Sequence, residues 1–508
     1  MKTTRRIVQI LFLVLFLILI LKTTYPLNFK HTHLFLSMSS LLALTQMLSV
    51  RSYVHSFELA IIIAIGTIFL GRFFCGWVCP FGTTLDITDR LFKKKKNIEK
   101  KTQKKLISIK YILLIFLLVL ATLGIQIAGW FDPICISVRS YGLVVYTYFN
   151  FLAEKTFLIL GRLSIVGGVA DKFYNFAKEN FLAYTQPVFS GSILIFLFFI
   201  GILFLGIFLR RFWCRNLCPL GALFGFLSLK PLVLKRYVSD TCDSCSLCES
   251  KCKMGAITEE GKTEITGECI LCFDCVQKCP KGAIDYKFTN HNYKLPKFDT
   301  VDISKRSFVF SLGAGLISVP FFEVNFLKNK VNNIIHPPGS VSYEQFFAKC
   351  VRCGECMKVC PTNYIHPALF EKGVAGMWTP NLNARLGYCE YNCALCGEVC
   401  PSGAIQKLSI EEKKKTVIGI AYFCKSRCIT WIGYDNCTVC EEMCPVPEKA
   451  IVLRKEHIID PAGKKRILLR PYVIEELCIG CGICETKCPV EGASAIKIIG
   501  LKYQKKIA

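Results

Sequence analysis

The chain has 508 residues, 52% of them hydrophobic, with a mean hydropathy of +0.42 and a formal net charge of +26. Such an apolar balance excludes an ordinary soluble protein, and thirty cysteines narrow the class to a disulfide scaffold, a metal protein or a cluster protein. Twenty-four of them fall into six tetrads, four of which share one regular spacing, which excludes an irregular disulfide framework. The positive charge accompanies no nucleic-acid motif, and its densest run, residues 93–105, abuts an apolar segment, so it reads as membrane topology and not as a nucleic-acid surface.

Four apolar stretches, residues 6–27, 59–74, 107–128 and 189–209, are predicted spans, the second being short. Lys2, Arg5 and Arg6, then Arg72 and the lysine run, then Arg210, Arg211 and Arg215 flank one side of this set. The positive-inside rule puts that side in the cytoplasm. The basic start followed by an apolar run reads as an anchor, since no small-residue cleavage site follows. His31 and His33 read as a solvated pair on the outer loop. Residues 138–187 are mixed in polarity and are assigned to the outer side or its interface, and Cys135, after Asp132-Pro133, is assigned to packing.

An internal repeat links the ends of the second and fourth spans. Arg72-Phe-Phe-Cys75-Gly-Trp-Val-Cys79-Pro80-Phe-Gly82 matches Arg211-Phe-Trp-Cys214-Arg-Asn-Leu-Cys218-Pro219-Leu-Gly221. Both copies follow an outward-to-inward helix, which predicts a parallel repeat about an axis along the membrane normal. Cys75, Cys79, Cys214 and Cys218 then converge, and two readings stay open: a further cluster or soft-metal site, or two helix-end turns in which cysteine and proline merely pack. Arg72 and Arg211 carry a similar pair of readings, contact with a quinone head group or snorkelling at the interface.

The cluster motifs begin after residue 235. A [4Fe–4S] cube needs four thiolates, and in the bacterial ferredoxin spacing three come from one C-x2-C-x2-C run and the fourth from the neighbouring tetrad. The first pair is Cys242, Cys245, Cys248, Cys252 and Cys269, Cys272, Cys275, Cys279, with Lys253 where proline is usual. Crossing gives one set of Cys242, Cys245, Cys248 and Cys279, and another of Cys269, Cys272, Cys275 and Cys252. The second pair is Cys350, Cys353, Cys356, Cys360 and Cys389, Cys393, Cys396, Cys400. The third is Cys428, Cys437, Cys440, Cys444 and Cys478, Cys481, Cys484, Cys488, with an insertion after Cys428 and with Cys424 as a competitor for that place. Six tetrads predict six [4Fe–4S] clusters; zinc is the alternative for any single pair but not for six with proline after five.

Between the first pair and the rest, Ser304-Lys305-Arg306-Ser307-Phe308-Val309 precedes a weakly apolar stretch to Phe322. The segment 303–325 resembles a twin-arginine export signal with lysine for the first arginine; the alternatives are a transmembrane segment or a short helix packed on the first ferredoxin. Export places residues 337–508 on the outer face and leaves residues 236–290 in the cytoplasm.

Residues 1–290, with two C-x3-C-P motifs and a two-cluster ferredoxin, resemble NapH-type membrane proteins and the related methylamine-utilisation and nitrous-oxide-reductase accessory proteins. Residues 304–508 resemble NapG-type periplasmic ferredoxins. The resemblance implies that electrons pass from the quinol pool to a periplasmic reductase or cytochrome, the two polypeptides being fused here. No Gly-rich dinucleotide or flavin loop and no membrane histidine pair for haem is present, so electrons enter from a lipid carrier or a protein. The expected fold is a membrane α-helical bundle of about four spans, with 303–325 as the candidate fifth, carrying α+β two-cluster ferredoxin modules. The expected domains are 1–235, 236–290, the connecting segment 303–325 and a four-cluster domain 337–508. The expected role is an electron-transfer subunit of a multi-pass cytoplasmic-membrane system; its rival is a maturation or regulatory redox factor for a metalloenzyme.

Overall fold

The computed structural model describes residues 2–27, 29, 31–91, 100–162, 167–229, 234–265, 267–288, 297–299, 305–328, 335–369, 373–459 and 465–506. Lys93, Lys94, Lys95, Lys96 and Glu99 of the basic run, and Ser304 of the export-like motif, lie outside them.

The first half is a helical bundle. Helices Thr3–Lys22, Lys105–Thr122 and Pro133–Gly161 are long and apolar enough to cross a membrane. Their outward residues are apolar too, among them Ile7, Ile10, Leu11, Val14, Leu152 and Ile159. The third starts where Asp132 caps it, its carboxylate accepting from the backbone N–H of Ile134 and Cys135 at 2.9 and 3.0 Å, with Pro133 in the first turn. The first part of residues 138–187, whose structure the sequence leaves open, belongs to this apolar helix of 29 residues.

The second and fourth stretches are not continuous spans. Helix Glu58–Leu70 stops at Gly71 (φ 84°), a five-residue helix Phe73–Trp77 follows, and a third helix, Pro80–Leu91, starts on proline. The fourth repeats this as Ser192–Phe204, Phe212–Asn216 after Arg211 (φ 48°), and Pro219–Leu227. Proline has no N–H to give to the preceding turn and therefore opens a new helix. Both copies close the break identically: Val78 and Cys79 N–H donate to Phe74 O, and Leu217 and Cys218 N–H to Trp213 O.

Two ferredoxin modules follow. In the first, strands Leu234–Val238 and Ile284–Phe288 pair antiparallel around the short helices Leu247–Lys251 and Asp274–Lys278. In the second, residues 335–506, Thr416–Phe423 pairs with Ile496–Lys506 and Ile451–Ile459 with Lys465–Val473. Helix Lys305–Lys328 joins them and runs along Lys100–Thr122, with Gly315 against Val119. It is longer than the short helix on the first ferredoxin weighed from sequence, and it packs on the bundle.

The modules sit at opposite ends of the bundle. On the first helix, Arg5 Nη1 donates to Gly76 O at 3.4 Å beside the first module, while Thr23 O accepts from Lys358 Nζ of the second module at 2.9 Å. Eighteen residues at 1.5 Å each separate these points by about 27 Å, close to the thickness of a bilayer's hydrocarbon core. Each module presses a carbonyl on a bundle glycine: Ile270 O, after Cys269, on Gly76, and Val351 O, after Cys350, on Gly129. A Cβ at either glycine would overlap that oxygen. Gly76→Ala is expected to loosen the first module alone and Gly129→Ala the second alone, each at about 1–3 kcal/mol, read as faster amide exchange confined to the matching interface.

Candidate cluster sites

The tetrads cross in space. Cys269, Cys272, Cys275 and Cys252 line one cavity with Met254, Ala256, Ile257, Ile270 and Tyr286. Cys350, Cys353, Cys356 and Cys400 line a second with Phe346, Trp378 and Ile405. Cys428, Cys437, Cys440 and Cys488 line a third with Phe423, Pro471 and Ile496. Cys393 and Cys396 lie within electrostatic reach of Cys389 and Cys360, and Cys484 within reach of Cys478, Cys481 and Cys444. In the first module Cys248 feels Cys242 and packs in one cluster with Cys279; Cys245 is exposed.

The backbone prepares these sites for sulfur ligation. In tetrad after tetrad an N–H a few residues on donates to the fourth cysteine's Sγ: Ala256 to Cys252 and Ala283 to Cys279 at 3.3 Å, Tyr364 to Cys360 at 3.3 Å, and Ile405 to Cys400 at 3.4 Å. Burial pushes the thiols of Cys272 and Cys393 up to about 11, and those of Cys440 and Cys481 up to about 12. Such thiols are neutral at pH 7, so ligation must expel protons as it couples to folding. Among the described residues no three His, Cys, Asp or Glu converge on an ion-sized point. Four thiols splayed around an apolar cavity fit a cubane better than a zinc ion.

Cys428, and not Cys424, lines the third cavity; Cys424 instead lies 3.5 Å from Ser426 Oγ. Cys428→Ala is therefore expected to remove about four irons per chain and Cys424→Ala none, as measured by elemental analysis.

The two helix breaks bring Cys75, Cys79, Cys214 and Cys218 together, each within electrostatic reach of others in the set. Cys79, Cys214 and Cys218 are buried. Cys218 Sγ accepts from Gly221 N–H at 3.3 Å, and Cys79 stands in the same relation to Gly82. Arginines cross between the copies. Arg211 lies over Gly82, donating to Gly82 O and Cys75 O at 2.9 Å and to both oxygens of Asp86. Arg72 lies over Gly221 and donates to Glu268 at 2.7 Å and Gly267 O at 3.1 Å. Both guanidiniums are fully enclosed, which overturns the snorkelling and quinone-contact readings: each is committed to a carboxylate and shut off from lipid. Among the described residues Arg72 Nε and Nη2 have no acceptor, and Arg72 is within electrostatic reach of Cys75 and Cys218. Orphaned buried donors beside four thiols fit an anionic iron–sulfur cluster.

This set adjoins both modules. Gly76 and Trp77 touch the Cys269–Cys272 loop, Trp77 Nε1 donating to Leu271 O at 3.0 Å. Towards the second module, Trp213 packs on Phe198 at 6.1 Å and Phe198 on Trp378 at 5.5 Å between ring centroids. Trp378 lines the Cys350 cavity. Cys135 is buried at that end with its Sγ 3.4 Å from Val351 O, in the packing role expected of it.

Comparison with known proteins agrees with this layout. A 4Fe-4S binding domain family matches residues 57–99 and 192–236, the two copies of the repeat. A 4Fe-4S dicluster domain matches residues 349–404, and further 4Fe-4S binding domains match 269–283 and 471–492. The ferredoxin-type protein NapG of Escherichia coli is 34% identical over 173 residues, 34% of this chain and 72% of its own length. The methylamine utilization ferredoxin-type protein MauM of Methylorubrum extorquens is 34% identical over 172 residues, 32% of this chain and 72% of its own. The chain belongs to the NapG/MauM family of ferredoxin-type proteins. It is thus an iron–sulfur electron-transfer protein carrying 4Fe-4S domains. The NapG of Haemophilus influenzae matches at 34% over 60% of its length, so the chain spans under two thirds of that relative. No solved structure matches the chain.

Sequence reasoning noted Lys253 without its partner and missed Glu268. The first left a signal, a lysine where the other tetrads carry proline; Glu268, one residue before a ligand run, left none.

Proposed function

We propose that the chain conducts single electrons across the cytoplasmic membrane, from the first module on one face to the second on the other, by way of the four cysteines in the bundle. The observation that carries this is the placement of a four-cysteine set, three of its members buried, between two modules docked at opposite ends of one bundle, whose outward surface is apolar. A [4Fe–4S] cluster supplies a site that gains and loses one electron. The cysteines would hold seven such sites: the six crossed sets and Cys75, Cys79, Cys214 and Cys218.

The rest of the chain sets spacing and environment. Gly76 and Gly129 let the ligand loops of the nearest set in each module approach the bundle backbone. Trp213, Phe198 and Trp378 fill the interval on the second module's side and keep water out. Arg72 and Arg211 offset the negative charge of four thiolates where water cannot. In this reading the resemblance to NapH-type proteins makes quinol the reductant and an outer-face redox protein the acceptor. The quinol head group does not meet Arg72 or Arg211, both being enclosed.

Elemental analysis tests the count. Anaerobically purified protein is expected to hold about 28 irons, and the variant with Cys75, Cys79, Cys214 and Cys218 all changed to alanine about 24. Equal iron in the two proteins would remove the bridging site.

A further inference from the structure

The two copies of the repeat are offset by 139 residues, Arg72 matching Arg211, Cys75 matching Cys214 and Gly82 matching Gly221. At the same offset, Asp86, the carboxylate that holds Arg211, falls on Gly225. The second copy therefore has no acid of its own to hold Arg72. Module one takes that place: the backbone at Gly267 lies so close to Gly225 that a Cβ on either would strike the other's carbonyl or, at Gly225, the Tyr111 hydroxyl. The next residue, Glu268, accepts from Arg72, Lys110 and Tyr111 and is fully buried.

A second prong goes to the first copy. Lys253 Nζ lies 2.9 Å from Asp86 Oδ2, joining Arg211 on that carboxylate. Lys253 follows Cys252 and Glu268 precedes Cys269, so both prongs adjoin ligands of the set that lines the cavity nearest the bundle. The prongs carry opposite charge: Lys253 meets Asp86 of the first copy, and Glu268, seated beside Gly225 of the second copy, meets Arg72 of the first.

We infer that the first ferredoxin module is a two-pronged plug, in which Lys253 and Glu268 are positioning residues that complete the central four-cysteine site, Glu268 standing in for the acid missing at Gly225. This rests on the proposal that the central cysteines form a redox site, but the dock can be tested apart from it. The lysine at 253 then has a reason: proline there would suit the tetrad and leave Asp86 without its third cation.

Lys253→Pro restores the residue that the other five tetrads carry, so the module should still form. In the full-length protein it is expected to speed amide exchange over residues 72–79 at least tenfold with unchanged iron in the module, and Lys253→Arg to restore wild-type exchange. Unchanged exchange in both Lys253→Pro and Glu268→Gln would overturn the plug, whatever the central site holds. A redox titration adds a readout that mere loosening does not give. Glu268→Gln, leaving Arg72 and Lys110 less compensated, should raise the midpoint potential of the central site, and Lys253→Pro should lower it. Shifts of the same sign would contradict the assignment of the two prongs. Finding no signal from the central cysteines in the wild type, with the exchange result intact, would reject the redox site and keep the dock.

Discussion

Asp86 takes three cations at once: Arg211 through two hydrogen bonds of 2.8 and 2.9 Å, Lys253 at 2.9 Å and Arg5 at 3.5 Å. The first comes from the other half of the repeat, the second from the ferredoxin module and the third from the first helix. Four separate parts of the chain are thus tied to one carboxylate from which water is shut out. Breaking a buried pair by removing one partner typically costs about 3–5 kcal/mol, a large share of the stability of most domains. A network of this kind is weak evidence for stability as such, because its desolvation opposes its attraction. Its use is registration: the cysteines of two helix breaks meet only if the halves are held in one alignment.

The helix breaks follow from the same need. A continuous helix satisfies its backbone N–H groups internally and presents none to a ligand. Interrupting it at Gly71–Pro80 and Arg211–Pro219 frees N–H groups near Cys79 and Cys218, which turn to sulfur, as Gly221 N–H does. Discontinuous helices inside a bundle are tolerated where the freed groups are enclosed by protein, and here arginines and the first module enclose them. The docking glycines extend the logic to distance. Electron tunnelling falls steeply with separation, and at Gly76 and Gly129 the modules approach until backbone meets backbone.

Much of this was legible in the sequence. The tetrads, the crossing expected of the first pair and the preference for Cys428 over Cys424 were read from spacing, because the ligand loops are local and their geometry is fixed within a few residues. The arginine–cysteine repeat was visible for the same reason. The broken spans were not, since hydropathy averages over a window and cannot register a five-residue helix between two longer ones. Nor were the fates of Arg72 and Arg211, whose partners Glu268 and Asp86 lie 196 and 125 residues away in the chain. Side chains that serve long-range pairing look from sequence like interface anchors. Lys253 is the intermediate case: its oddity showed, while its partner did not.

The claim that electrons pass through the bundle is tested most directly by reducing one side alone. Protein is reconstituted in sealed vesicles with the first module outward, a membrane-impermeant reductant is added outside, and the clusters of the second module are followed by EPR. Their reduction is expected in the wild type and is expected to fail when Cys75, Cys79, Cys214 and Cys218 are all alanine in a protein whose other clusters are intact. Equal reduction of the second module with and without those four cysteines would contradict the central site as the bridge.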